Sequence, residues 1–80
     1  MSEPLTTLQR RLLVELADLG GQAGTSDLFV RLREPGIVKA MIDAREVLIA
    51  RGLVDFSDGW VWKLTPEGAR AAVLEDEGAA

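Results

Sequence analysis

The stretch "LIARGLVDFSDGWVWKLTPEG", residues 48–68, decides how this chain folds. Its opening residues carry the end of an apolar helical pattern, and Gly52 supplies the left-handed residue at which such helices stop. From Leu53 to Leu64 the spacing changes to period two around Asp58-Gly59, which predicts two short strands joined by a tight turn. Thr65-Pro66-Glu67 then reads as a helix start, with a cap, a proline at the first helical position and an acid on the positive end of the dipole. Register decides which side chains share a face. A two-residue loop at Asp58-Gly59 would group Trp60 and Trp62 with Leu53, Asp55 and Ser57. A three-residue loop, Ser57-Asp58-Gly59 with a left-handed glycine, gathers Val54, Phe56, Trp60, Trp62 and Leu64 on one face and leaves Leu53, Asp55, Val61 and Lys63 on the other. The second makes one coherent apolar face and is the expectation.

Upstream, three helices are predicted. Thr6 and Gln9 have the spacing of a capping box, and Leu5, Leu8, Leu12, Leu16 and Leu19 repeat at helical intervals, with Leu13 widening the stripe, until Gly20-Gly21. After a short link, Thr25 or Ser26 caps a second helix through Asp27 to Leu32, which "EPG" at 34–36 breaks because proline disfavours helix for the residue before it. A third helix runs from about Ile37 to Arg51. It carries Ile37, Met41, Ala44 and Leu48 on one face, Val38, Ile42 and Ile49 beside them, and Lys39, Asp43, Glu46 and Ala50 outward. The expected layout is an arm at 1–5, one domain at 6–73 and a flexible acidic tail at 74–80.

Composition narrows the function. Eighty residues with 48% apolar content suit one domain with a modest core. There is no cysteine and no histidine, which removes disulfides, thiol nucleophiles, imidazole acid–base chemistry and the usual zinc ligands. No side chains pair as nucleophile and base, and "GGQAG" lacks the lysine of a phosphate loop, so no enzyme and no cofactor are expected. No run approaches a membrane span and "MSEPLTTLQR" lacks the layout of a signal peptide, making a cytoplasmic location the expectation. The net charge is −4; three of the thirteen acids lie at 75–77, so the body is close to neutral.

The order of elements, and above all "LIARGLVDFSDGWVWKLTPEGARAA" (48–72), resembles a winged helix-turn-helix domain, similar to the DNA-binding domains of MarR-like and PadR-like transcriptional regulators. "LIARGLV" corresponds to the end of a recognition helix and the start of the wing, and "LTPEG" to the segment after it. The resemblance implies an α+β fold of three helices, a two-stranded wing and a short C-terminal helix. It implies double-stranded DNA as partner and binding as a homodimer, with the third helix in the major groove. Gly36, Lys39, Ala40 and Asp43 would then face bases, and Ser26, Arg31, Arg33, Arg45 and Lys63 would meet phosphates.

A second reading rests on charge. Asp43 and Glu46 beside Lys39 give the third helix an acidic face, and a carboxylate approaching duplex DNA meets a dense line of phosphates. On that reading the chain is a protein-binding module, cellular or phage-borne, that engages a partner through Trp60, Asp43 and Glu46. The tryptophans are either both core or half-buried lids, or one is an interface anchor. Trp60, beside the turn, is the one expected at the surface, and Trp62 the one expected in the core.

Overall fold

The capping box at Thr6 forms as its sequence predicts. Gln9 N–H donates to Thr6 Oγ1 at 3.2 Å and the Gln9 side chain accepts from Thr6 N–H at 3.0 Å, which satisfies two helix-end donors and starts α1 (Thr7–Asp18). The computed structural model describes residues 4–34 and 36–79, the side chains of 75–79 excepted. Among these residues the chain then runs β1 (Gln22–Gly24), α2 (Thr25–Leu32), α3 (Val38–Ala50), β2 (Val54–Asp55), β3 (Val61–Leu64) and α4 (Pro66–Ala79). The result is a small α+β fold of four helices and one antiparallel sheet of three strands, in the order β1-β3-β2.

Strand β1 is the element that periodicity did not expose. Three residues are too short to show alternation, and the sequence predicts only a link there. Its reality comes from pairing, because Ala23 lies opposite Trp62 and Gly24 opposite Val61. The segment thus gains its backbone partners from a strand almost forty positions away, which no local pattern records.

The cap of α2 also differs from expectation. Gly24, not Thr25 or Ser26, is the N-cap residue, and Asp27 reaches back to accept from Gly24 N–H at 3.2 Å. Thr25 is thereby left for other use, and its Oγ1 accepts from Trp62 Nε1 at 2.9 Å. The ring of Trp62 is fully buried, so this bond gives its one donor a partner inside the core. At the far end of α2, Arg33 adopts a left-handed φ of 57° and Arg11 donates to the Leu32 carbonyl at 3.4 Å, which closes the helix. Pro35 lies outside the described residues, so the "EPG" break is seen only through Glu34 and Gly36.

The hairpin keeps its predicted facing but not its predicted register. Val54 pairs with Leu64 and Asp55 with Lys63, two residues further along β3 than the expected three-residue loop allows. A shift of two preserves side-chain parity, so Val54 and Trp62 still enter the core, with Phe56 and Leu64 packed against it. Trp60, however, now belongs to the connection. The reason lies in the turn: Gly59 N–H donates to Phe56 O at 3.0 Å with Gly59 at φ 78°, and Asp58 Oδ1 accepts from the N–H groups of both Trp60 and Val61 at 3.0 Å. The Asp58 carboxylate therefore wraps the chain around itself, and Trp60 cannot join the ladder.

The core joins Leu12, Leu13 and Leu16 of α1, Leu28 and Leu32 of α2, Met41, Ala44 and Leu48 of α3, and Trp62 and Val54 of the sheet. Helix α4 packs on α1 and closely approaches Leu53, the residue before β2, with Ala72 in the core. A Cβ at Gly68 would stand 1.9 Å from the Leu53 carbonyl oxygen, so only glycine fits there. Thr65 holds the junction, donating to Gly52 O at 2.6 Å and accepting from Gly68 N–H at 3.0 Å. Helix α4 continues to Ala79, through the segment read as a tail, whose acidic side chains at 75–77 lie outside the described residues. No helix among the described residues is long and apolar enough to cross a membrane.

Candidate functional site

Helix α3 packs beside β2, the first strand of the hairpin, and most of the residues singled out from sequence lie on one or other of these elements. Gly36 and Ala40 are exposed just before and on α3, and Lys39, Asp43, Glu46 and Ala50 are exposed as the outward stripe predicts. Lys39 has no ion-pair partner among the described residues.

The basic residues expected to meet phosphates are arranged otherwise. Arg31 turns toward α1, where its Nε donates to Glu15 at 2.6 Å and its other arm pairs with Asp18. The bond to Glu15, then the nearby charge of Asp18, hold the Arg31 guanidinium above its ordinary pKa. Lys63 Nζ lies 3.4 Å from Asp58 Oδ2. Arg45 is the most altered. Its side chain is only 16% exposed, and the guanidinium carbon lies 4.1 Å from the Phe56 ring centroid and 5.6 Å from that of Trp62. It is a cation laid on an aromatic floor, not one directed to solvent, because the edge-to-face pair of Phe56 and Trp62 offers a negative ring face directly under α3. Arg33 and Ser26 remain exposed, at the C-terminal end of α2 and in its first turn respectively.

The two tryptophans separate as expected. Trp62 is fully buried, whereas Trp60 is 81% exposed at the end of the hairpin, the most exposed large apolar side chain among the described residues. Its surroundings are acidic. Asp58 carries the turn and Asp55 Oδ1 accepts from Ser57 N–H at 2.8 Å. Both carboxyls sit below the ordinary aspartate range, Asp58 through the N–H groups of Val61 and Trp60 and Asp55 through that of Ser57, with Lys63 adding to each. They are ionised at neutral pH.

Sequence reasoning placed Val38, Ile42 and Ile49 beside the core face of α3 but did not show that they stay uncovered. Val38, Ile42 and Ile49 are 36–43% exposed. At about 100° per residue they fall within roughly 40° of one another around the helix, next to the buried face and on the side of Arg45. Ile49 continues this strip into a groove of about 410 Å³ lined by Ile49, Val54, Asp55, Phe56, Ser57 and Thr65. Helical spacing marks these residues as apolar, but only the packing shows that the hairpin leaves them uncovered.

Chemically the surface offers an aromatic anchor, an apolar strip and carboxylates. No group of three or more carboxylates among the described residues is placed to hold a metal ion. Comparison with protein-family models, with curated proteins and with solved structures gives no significant match to this chain.

Proposed function

We propose that this chain is a winged-helix recognition module that binds a protein partner through the outer face of α3 and the hairpin, which acts as its wing. The observation that carries this reading is Trp60, 81% exposed at the wing tip beside ionised Asp58. Tryptophan is the side chain most enriched at binding hot spots, and leaving one in water contributes nothing to stability. The charge distribution agrees. On α3 and the wing, Asp43, Glu46, Asp55 and Asp58 oppose Lys39, Arg45, Arg51 and Lys63, and two of these four cations are committed to Phe56 and Asp58. A surface of that balance does not attract a polyanion.

The other reading, a DNA-binding transcriptional regulator, is favoured by one arrangement: α2 and α3 are followed directly by a hairpin, with Lys39 exposed near the start of α3 and Arg33 and Ser26 exposed on α2. In it, α3 enters the major groove and Lys39 reads a base.

One experiment separates them. The wild-type chain, Trp60→Ala and Lys39→Ala are each used as bait in a cell extract and titrated against mixed genomic DNA fragments at about 0.15 M salt. The protein-binding reading expects a captured protein that Trp60→Ala loses and Lys39→Ala keeps, with DNA mobility unaltered. A DNA shift that Lys39→Ala abolishes, with capture indifferent to Trp60→Ala, overturns it in favour of the regulator.

A further inference from the structure

The chain contains no asparagine, and among Asp18, Asp27, Asp43, Asp55, Asp58 and Asp76 only Asp58 is followed by glycine. An aspartate before glycine is where a main-chain nitrogen most readily attacks the neighbouring carboxyl, because glycine has no side chain to shield the nitrogen or restrict the backbone as a ring closes. The steps balance without a co-reactant other than water. Gly59 N bonds to Asp58 Cγ, its proton and the hydroxyl of the protonated carboxyl leave as water, and a succinimide forms. Water then adds back at either ring carbonyl. Breaking the bond between Gly59 N and Cγ restores aspartate, whereas breaking the bond between Gly59 N and the main-chain carbonyl carbon of Asp58 leaves isoaspartate, of unchanged mass, with the main chain running through Cβ and Cγ.

The folded turn holds each group that this reaction uses. Gly59 N–H donates to Phe56 O at 3.0 Å. Asp58 Oδ1 accepts from the N–H groups of Trp60 and Val61, each at 3.0 Å, and Oδ2 lies 3.4 Å from Lys63 Nζ. Either oxygen must give up these partners before it can leave, and the same contacts keep the carboxyl below the usual aspartate range, in the anionic form that resists attack. The turn is nevertheless at the surface: Ser57, Asp58, Gly59 and Trp60 are all exposed, and the strand that leads into it spans only Val54–Asp55. A turn so placed opens locally while the core stays folded.

We propose that Asp58 is a site of spontaneous isoaspartate formation, gated by opening of the hairpin turn, and that the modification releases the hairpin tip. The extra main-chain atom lengthens the turn and moves the free carboxylate onto Cα, so the N–H groups of Trp60 and Val61 lose the acceptor that fixes them. The inference concerns the turn itself and holds whichever partner the hairpin meets.

The test keeps the full chain at neutral pH and raised temperature, folded in buffer and unfolded in guanidinium chloride. Isoaspartate is measured by enzymatic methylation of its carboxyl and located in the tryptic peptide that begins at Gly52. The unfolded chain is expected to accumulate it at Asp58 ahead of every other aspartate, and the folded chain at least about tenfold more slowly. Lys63→Gln, at an exposed position, is expected to speed the folded reaction by about threefold while leaving the unfolded rate and the melting temperature unchanged. Equal rates in the folded and unfolded chains, a folded rate indifferent to Lys63→Gln, or modification that favours another aspartate each overturn the gated site. The isomerised chain, separated by ion exchange and labelled with nitrogen-15, is expected to show shifted amide signals for Trp60 and Val61 with the Trp62 indole signal in place. Unmoved Trp60 and Val61 signals overturn the release of the tip.

Discussion

Arg45 sets a gain against a cost at a single side chain. Its guanidinium gains from the Phe56 ring at 4.1 Å, an interaction on the order of 0.5–2 kcal/mol for a partly desolvated cation. Its Nε is buried with no hydrogen-bond partner, a cost of about 1–3 kcal/mol. The two nearly cancel, so most of what Arg45 contributes is the packing of its aliphatic stem between α3 and the hairpin. Arg45→Met keeps the stem and removes these two effects together with the exposed pairing to Glu46 at 3.8 Å, which contributes little; its stability, measured by urea unfolding, is expected within about 1 kcal/mol of wild type. Arg45→Ala removes the stem as well and is expected to cost about 1–2 kcal/mol more. A large loss in Arg45→Met would show that the cation on the ring outweighs the cost of its buried Nε.

At the scale of elements, the α4 junction reverses an ordinary preference. Alanine is favoured over glycine inside a helix by about 1 kcal/mol, yet a Cβ at Gly68 would meet the Leu53 carbonyl at 1.9 Å. That oxygen is backbone and cannot yield, so Gly68→Ala is expected to destabilise by about 1–3 kcal/mol net. At exposed Ala69, one residue on, the ordinary rule returns and Ala69→Gly is expected to cost about 1 kcal/mol. Equal melting temperatures for Gly68→Ala and wild type would refute the close packing. The hairpin turn carries a pH dependence of defined sign. The folded pKa of Asp58 lies below the ordinary value of about 3.9, so its contribution is complete above that value and is lost as pH falls through the lower folded one. The gap in melting temperature between wild type and Asp58→Ala is therefore expected to hold from neutral pH to about pH 5 and to narrow below about pH 4. A gap that widens in acid would contradict the turn geometry.

For the whole molecule, shape leaves the partner open: a helix and a hairpin can serve DNA or protein, and on the protein-binding proposal it is the carboxylates Asp43 and Glu46 of α3 that would turn DNA away. On that proposal the wild type shows no DNA binding at about 0.15 M salt, and replacing Asp43 and Glu46 together by lysine is expected to create salt-sensitive binding, since phosphate contacts carry most non-specific affinity. Gel mobility across a salt series measures it. Strong wild-type binding, little altered by the double substitution, would show that the acids do not set the choice of partner.

Much of this was legible along the chain because it is local. The capping box of Thr6 and Gln9, the stop at Gly52, the start at Thr65-Pro66 and the parity that sends Val54 and Trp62 inward all depend on residues within a few positions of each other. The helices and the α+β character follow from them. What the tertiary structure alone decided involves partners distant in sequence: β1, which exists only as a partner of β3; the release of Thr25 to Trp62; the fall of Arg45 onto Phe56; and the binding of Arg31 by Glu15 and Asp18. A sequence shows that Arg31 and Arg45 are cations, but whether a cation meets a ligand or a neighbouring side chain depends on what the fold brings within about 4 Å, and that distance has no local signature.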